Sequence, residues 1–307
     1  RTITFKQLKE TIEAVYASKA EQDARHRAHR QPRETLEQHL YTYLNHKYGL
    51  RGLCVGHAAA VLRAVQTYSA QDNDVATFGK IVANEIDEEF HVVQKELKQT
   101  VQDLLRVHLK GKYPLKADGA IQTLLNQRVN GSHPLSAGEW GDVVRYMYND
   151  EDATALTVMI RNETRPAPGA KEDPGRTQRI SYSAFLKVLL DFQLHGHTRF
   201  LEKFRAYFVP IDSDGDGIIT RTQFQELCQR ICPMKMASKK HADQLVAKAD
   251  PHATNSITYS DAVDALSGEI MDLMLETMSR RALPGAGSQM APSIASGPSL
   301  LAGGRRR

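Results

Sequence analysis

Residues 212–223 read Asp-Ser-Asp-Gly-Asp-Gly-Ile-Ile-Thr-Arg-Thr-Gln, and this stretch decides the fold of the surrounding chain. Asp212, Asp214 and Asp216 stand at alternate positions, so a tight turn brings their carboxylates to one point. Gly217 follows them, where the backbone must turn sharply and a side chain would obstruct. Calcium is a hard cation that takes about six to eight oxygen ligands. The stretch therefore predicts a calcium-binding loop.

Both flanks of this loop are amphipathic with a helical period. Apolar residues recur every three or four positions before and after it: Phe204, Tyr207, Phe208 and Ile211, then Phe224, Leu227, Cys228 and Ile231. Pro233 ends the second helix. The segment 204–216 closely resembles an entering helix and loop of calmodulin and troponin C. On these residues the segment is identified as a member of the EF-hand superfamily.

The resemblance implies a ligand set for the loop, because EF-hands bind through positions one, three, five, seven, nine and twelve. The corresponding residues here are Asp212, Asp214, Asp216, the Ile218 carbonyl, Thr220 through a water molecule, and Gln223. A glutamate normally supplies two oxygens at the twelfth position, whereas Gln223 offers one neutral amide oxygen. We expect one Ca²⁺, with Mg²⁺ as an alternative, and a Kd of about 10⁻⁵ to 10⁻³ M. A surface turn that binds no metal is the other interpretation.

The loop belongs to an internal repeat of four units. Related loops start at residues 128, 173, 212 and 250, so successive starts lie 45, 39 and 38 residues apart. The loop 250–261 is a weaker second metal candidate, with the ligands Asp250, Thr254, Ser256 and Asp261. The loops 128–139 and 173–184 retain few carboxylates, and we expect both to be structural. For the loop at 128, an ordinary helical bundle explains the pattern nearly as well.

EF-hand units pair through a short antiparallel contact between the residues at their eighth positions. In the four loops this position is an apolar residue, such as Leu135, Ile219 or Ile257. We therefore expect two pairs of units, each joined by such a contact.

Residues 1–117 are predicted to form a separate helical region. Three amphipathic helices precede a fourth, for which Asn73 or Asp74 is predicted as the N-cap and which continues to about Lys110. This fourth helix would have roughly 36 residues and a length of about 54 Å. Its acidic residues are expected to face solvent, or to pair with Lys95 or with a partner's basic residues, rather than to hold a cation: Glu85, Asp87, Glu88 and Glu89. The helix is interpreted as the spine of a bundle, with a rod that binds a partner as the alternative.

The predicted fold class is all-α, with four segments along the 307 residues. They are the helical region 1–117, a degenerate EF-hand pair 118–195 with an insertion near 161–172, the EF-hand pair 196–281, and a disordered tail 282–307. Counting Lys and Arg against Asp and Glu gives net charges of +4 for 1–117, −4 for 118–280 and +4 for 281–307. A calmodulin-type sensor would be far more acidic than the middle segment.

Composition and motifs favour a non-enzymatic intracellular protein. The three cysteines are too few for a disulfide framework, which favours a reducing compartment. No run of 18 apolar residues and no signal peptide are visible, although the start at Arg1 leaves room for a preceding segment. The sequence also lacks a P-loop, a dinucleotide glycine fingerprint, a GxSxG elbow and zinc-ligand spacings.

These features lead to two functional hypotheses. The first is a calcium-modulated module that binds another protein. The second is a calcium-independent structural adaptor in the cytoplasm or cytoskeleton, because decayed EF-hands beside long helices look like cytoskeletal proteins. The tyrosine-rich segment 40–49 weakly resembles ciliary helical proteins, which extends the second hypothesis to a cilium or flagellum.

A basic cluster provides a candidate contact for an acidic partner. It comprises Arg25, Arg27, Arg30 and Arg33. An acidic surface such as tubulin fits this charge; a lipid head group or RNA would also fit, and nucleic acid is the least favoured. The solvated end of a helix is the simpler interpretation.

Overall fold

The computed structural model describes residues 2–164 and 179–281, except for the side chains of 277–281. It is 75% helical, with a single two-stranded sheet among the described residues, which confirms the predicted all-α class. Most of the predicted insertion near 161–172, the start of the loop at 173 and the predicted tail 282–307 lie outside the described residues.

The described residues form a series of helices, three of which have more than 20 residues, with two short strands. In chain order they are α1 (Phe5–His29), α2 (Leu36–Tyr48), α3 (Arg51–Tyr68), α4 (Asn73–Val82), α5 (Phe90–Lys112), α6 (Asp118–Val129), α7 (Ala137–Met147), α8 (Asp150–Glu163), α9 (Tyr182–Phe208), β1 (Ile218–Ile219), α10 (Arg221–Ile231), α11 (Pro233–Met236), α12 (Lys239–Ala249), β2 (Ile257–Thr258), α13 (Tyr259–Ala265) and α14 (Ser267–Arg281). The described residues form two compact units. The first contains residues 2–91 and 198–281, and the second contains residues 92–164 and 179–197.

The N-terminal helices of the first unit begin at threonine caps. Thr4 and Thr35 accept hydrogen bonds from the backbone N–H groups three residues later, and Gln7 and Gln38 bond back to the caps. Helix α1 then buries one apolar stripe, which comprises Leu8, Ile12 and Val15. The capping residues and the helical period of this stripe together account for a helix that starts at Phe5.

A second part of the first unit joins two helix–loop–helix segments through the sheet. Strands β1 and β2 are antiparallel, with Ile219 opposite Ile257 and Ile218 opposite Thr258. Ile219 and Ile257 are the eighth residues of their loops and both are buried. The predicted contact between eighth positions is therefore confirmed for this pair.

The second unit has its own core, formed by α6–α8 with parts of α5 and α9. Its buried residues include Leu97, Val101, Leu105, Leu125, Trp140, Val143, Leu156, Ile160, Phe185 and Leu189. An antiparallel bridge joins Leu135 to Ile180, whose backbone groups exchange hydrogen bonds of 2.8 and 3.1 Å. These residues occupy the eighth positions of the loops at 128 and 173, so the same kind of contact is present here.

The predicted long helix is wrong: residues 83–89, which we call the strap, separate α4 from α5. Asn84 has a left-handed backbone with φ 49°, a conformation that ends a helix. The apolar pattern nevertheless continues, since Ile86 is only 1% exposed. Asp87 and Glu88 are also buried, contrary to the expectation that this acidic run faces solvent.

Candidate functional site

The Asp212 loop lies between α9 and α10 and contains β1. Gly215 and Gly217 both have positive φ angles, of 72° and 77°, which let the backbone turn twice within four residues. Asp212, Asp214 and Asp216 each offer a carboxylate oxygen, and these oxygens lie within 4.8 Å of one another. The turn thus gathers the three predicted acidic ligands at one point.

Backbone hydrogen bonds fix two of these carboxylates. Asp212 accepts from the N–H of Gly215 at 3.1 Å through Oδ1, and from the N–H of Gly217 at 3.0 Å through Oδ2. Asp216 Oδ1 accepts from the N–H of Ile218 at 2.9 Å. Because both side chains are oriented by the loop itself, a cation would meet a largely arranged set of oxygen donors.

No basic side chain among the described residues balances the charge of this cluster. Within residues 2–164 and 179–281, no lysine, arginine or histidine makes an ion pair with Asp212, Asp214 or Asp216. Partial burial, together with the neighbouring carboxyl groups of Asp214 and Asp216, raises the pKa of Asp212 above its usual value. A hard cation with oxygen preference fits this donor set, because it would offset the mutual repulsion of three carboxylates.

Gln223, the predicted twelfth ligand, is engaged in holding the loop closed. Its Oε1 accepts from Thr220 N at 2.8 Å and from Thr220 Oγ1 at 2.9 Å, which makes a capping box at the start of α10. Its Nε2 donates to the carbonyl of Ile211 at 2.9 Å. Thr220 is exposed, and Ile218 is half-buried in β1.

The loop 250–261 has a different charge balance. Asp250 is buried and accepts from the backbone N–H groups of Thr254 at 2.8 Å and Asn255 at 2.9 Å. Arg221 Nε lies 2.9 Å from Asp250 Oδ2. Burial alone would raise the pKa of Asp250, but these hydrogen bonds and Arg221 outweigh it and lower the pKa. A guanidinium group therefore stands beside the first carboxylate of this loop.

Two other predicted ligands of the loop 250–261, Asp261 and Thr254, also make hydrogen bonds within the protein. Asp261 Oδ2 accepts from Thr258 Oγ1 at 2.7 Å, and Asp261 Oδ1 lies 3.2 Å from Arg33 Nη1. Thr254 Oγ1 donates to Asp250 Oδ1 at 3.0 Å, and it also lies 3.3 Å from the Ser256 carbonyl. Asp250 and Asp261 are thus each paired with an arginine.

The loop 128–139 of the second unit carries a third such pair. Arg128, its first residue, makes an ion pair of 3.0 Å with Glu139, its twelfth, and Glu139 is 1% exposed. Glu139 also accepts from the N–H of Ser136 at 2.7 Å in a capping box. Burial would raise the pKa of Glu139, but these bonds and Arg128 outweigh it and lower the pKa.

Sequence reasoning did not identify these arginine partners. Arg128 and Arg221 occupy positions one and ten of their loops. A positive charge at position one, where an acidic ligand is expected, was a readable signal for Arg128 alone. Arg33 was predicted as part of the basic cluster, but it instead pairs with carboxylates of its own unit. The other three members of the cluster, Arg25, Arg27 and Arg30, are exposed, and Arg25 lies 3.4 Å from Glu21.

Two further findings complete the description of the site. None of the helices in the described part of the chain is long and apolar enough to cross a membrane. Comparison with protein-family models, with curated proteins and with solved structures gave no match for this chain.

Proposed function

We propose that the protein is a non-enzymatic EF-hand protein that binds one Ca²⁺ in the Asp212 loop and uses the helices around it to contact another protein. The observation that carries this proposal is a contrast in charge balance. Arginine neutralises carboxylates in the loops 128–139 and 250–261. The three carboxylates of the Asp212 loop have no such partner among the described residues.

The geometry supports a weak site rather than a strong one. Three carboxylates and the Ile218 carbonyl provide hard oxygen donors, but the twelfth position is occupied with a neutral side chain that already makes three hydrogen bonds. A glutamate there normally pulls the exit helix toward the metal, so only a modest reorientation of α10 is expected on binding. We place the Kd at about 10⁻⁵ to 10⁻³ M.

Titration calorimetry of the full chain tests the proposal. Ca²⁺ at millimolar concentration should give a binding heat in the wild type, which Asp214→Asn should abolish because it removes one of three ligand charges. Asp243→Asn is the matched control, since Asp243 is exposed and lies outside the loop. The same titration with Mg²⁺ decides which cation is preferred. An absence of heat in the wild type would refute calcium binding.

The second candidate function is a calcium-independent structural adaptor, favoured by the arginine pairs that close the loops 128–139 and 250–261. A loop closed by an arginine of the same chain keeps its helices fixed without a metal, which suits a constant docking surface in the cytoskeleton or a cilium. The exposed cluster of Arg25, Arg27 and Arg30 supplies a contact for an acidic surface such as tubulin. Cosedimentation with microtubules, lost on replacing these three residues by glutamine and unchanged by calcium, is the expected result for an adaptor.

A further inference from the structure

The strap places an amide side chain on the turn of the Asp212 loop. The side chain of Asn84 lies over the Cα atom of Gly217, so closely that a Cβ atom at Gly217 would lie 2.7 Å from Asn84 Cγ. Gly217 in turn donates its N–H to Asp212 Oδ2. Asn84 therefore packs against the residue that orients the first carboxylate of the candidate site.

Two further hydrogen bonds hold the strap on the start of α13. The N–H of Glu88 donates to Ser260 Oγ at 2.9 Å, and both groups are buried. Tyr259 Oη lies 3.4 Å from the carbonyl of Glu85. Tyr259 also donates its N–H to the Gly217 carbonyl at 2.8 Å. Tyr259 thus contacts both the strap, at Glu85, and the Asp212 loop, at Gly217.

An arginine fastens the acidic end of the strap to the same surface. Arg33 Nη2 lies 2.8 Å from Glu88, and Nη1 lies 3.1 Å from Glu89 and 3.2 Å from Asp261. Arg33 Nε lies 3.2 Å from Asp23 on α1. One guanidinium therefore connects the strap and α1 to the twelfth residue of the loop paired with the Asp212 loop.

We infer that the strap is the internal partner of this loop pair and that its docking raises the affinity of the Asp212 loop for Ca²⁺. The inference rests on the proposed calcium binding and adds its regulation by residues outside the loop. Asn84 restricts Gly217, and Gly217 holds Asp212 in the orientation that a cation needs. A loop that is ordered before binding loses less conformational entropy when the cation arrives.

Linkage makes this effect reciprocal. If docking of the strap tightens calcium binding, calcium must stabilise docking of the strap by the same factor. Calcium would then act on the N-terminal helices through Arg33 and the strap, without a large movement of α10. Asn84, Ser260 and Arg33 are positioning residues in this scheme, since none of them needs to touch the cation.

The first experiment weakens the strap and measures the calcium Kd of the full chain by calorimetry. Asn84→Gly removes the amide while glycine tolerates the left-handed backbone, and Ser260→Ala removes the acceptor of the Glu88 N–H. Their combination should weaken calcium binding by at least about fivefold, the lower range of typical coupling between sites. Asn149→Gly and Ser136→Ala are matched controls at helix caps of the second unit and should leave the Kd unchanged.

The second experiment needs no variant in the strap. Hydrogen exchange of residues 83–89 should slow by at least about fivefold when calcium saturates the wild type, and it should not respond to calcium in Asp214→Asn. Calcium binding with an unchanged Kd in the double variant and unchanged exchange in the wild type would overturn the coupling but leave the proposed function intact. Tighter binding in the double variant would also overturn it. No calcium heat in the wild type would remove both.

Discussion

Replacing Gln223 by glutamate should lower the stability of the calcium-free protein and tighten its calcium binding. The Nε2 group of Gln223 donates to the Ile211 carbonyl at 2.9 Å, whereas its Oε1 accepts from Thr220. Glutamate keeps the accepting oxygen but places a charged oxygen opposite that carbonyl. Losing this hydrogen bond and leaving the carbonyl without its donor costs about 1–3 kcal/mol. The Tm should fall by about 2–4 °C for each kcal/mol.

Calcium binding should offset this loss of stability. A second carboxylate oxygen and one more negative charge at the twelfth position should tighten binding at least tenfold, or about 1.4 kcal/mol. Calorimetry gives the Kd, and thermal unfolding with and without calcium gives both stabilities. Gln225→Glu is the matched control, because it adds the same charge to an exposed position of α10. An unchanged Kd for Gln223→Glu would refute the twelfth position as a ligand, and an unchanged Tm without calcium would refute the role of the Ile211 hydrogen bond.

Three further predictions concern stability. Arg128→Ala should lower the free energy of unfolding by about 3–5 kcal/mol, since it leaves Glu139 buried without its counter-charge; a chemical denaturation midpoint equal to wild type would contradict this. The pKa of Glu139 is lowered on folding, so its contribution should be present above the ordinary glutamate pKa of about 4.3 and lost as the pH falls below it. A pH titration of stability should show that loss in the wild type and much less of it in Glu139→Gln. Gly217→Ala should destabilise the first unit by at least about 1 kcal/mol, because alanine strains φ 77° and overlaps Asn84; Gly268→Ala, in open space on α14, should cost far less.

Local patterns predicted the paired loops because the information lies within a few residues. The alternation of aspartate and glycine specifies the turn at 212–217, and a fixed distance from the loop start specifies which isoleucine enters the sheet. Ile219 and Ile257 pair as the repeat predicts, and Leu135 and Ile180 form the corresponding bridge. The ligand assignments themselves stay predictions, although the turn does gather three carboxylates.

Long-range contacts explain what the sequence pattern could not predict. The apolar seam continues from Phe78 to Phe90 with helical spacing, so periodicity alone favours one uninterrupted helix. At the break, Asn84 lies against Gly217, and Glu88 donates its N–H to Ser260, which is 172 residues away in sequence. No local pattern indicates that this acidic run is buried, because its counter-charge, Arg33, lies 55 residues from Glu88 in sequence.

The arginines that pair with the loops 128–139 and 250–261 give those loops a permanent counter-ion. A bound metal exchanges with solvent and follows its concentration, whereas a guanidinium on the chain cannot leave and does not respond to chelators. The loop 128–139 therefore needs no metal to balance the charge of Glu139, because Arg128 supplies the counter-charge from the chain itself. Among the described residues, the carboxylates of the Asp212 loop have no arginine beside them, so their charge is the one that a dissolved cation would balance.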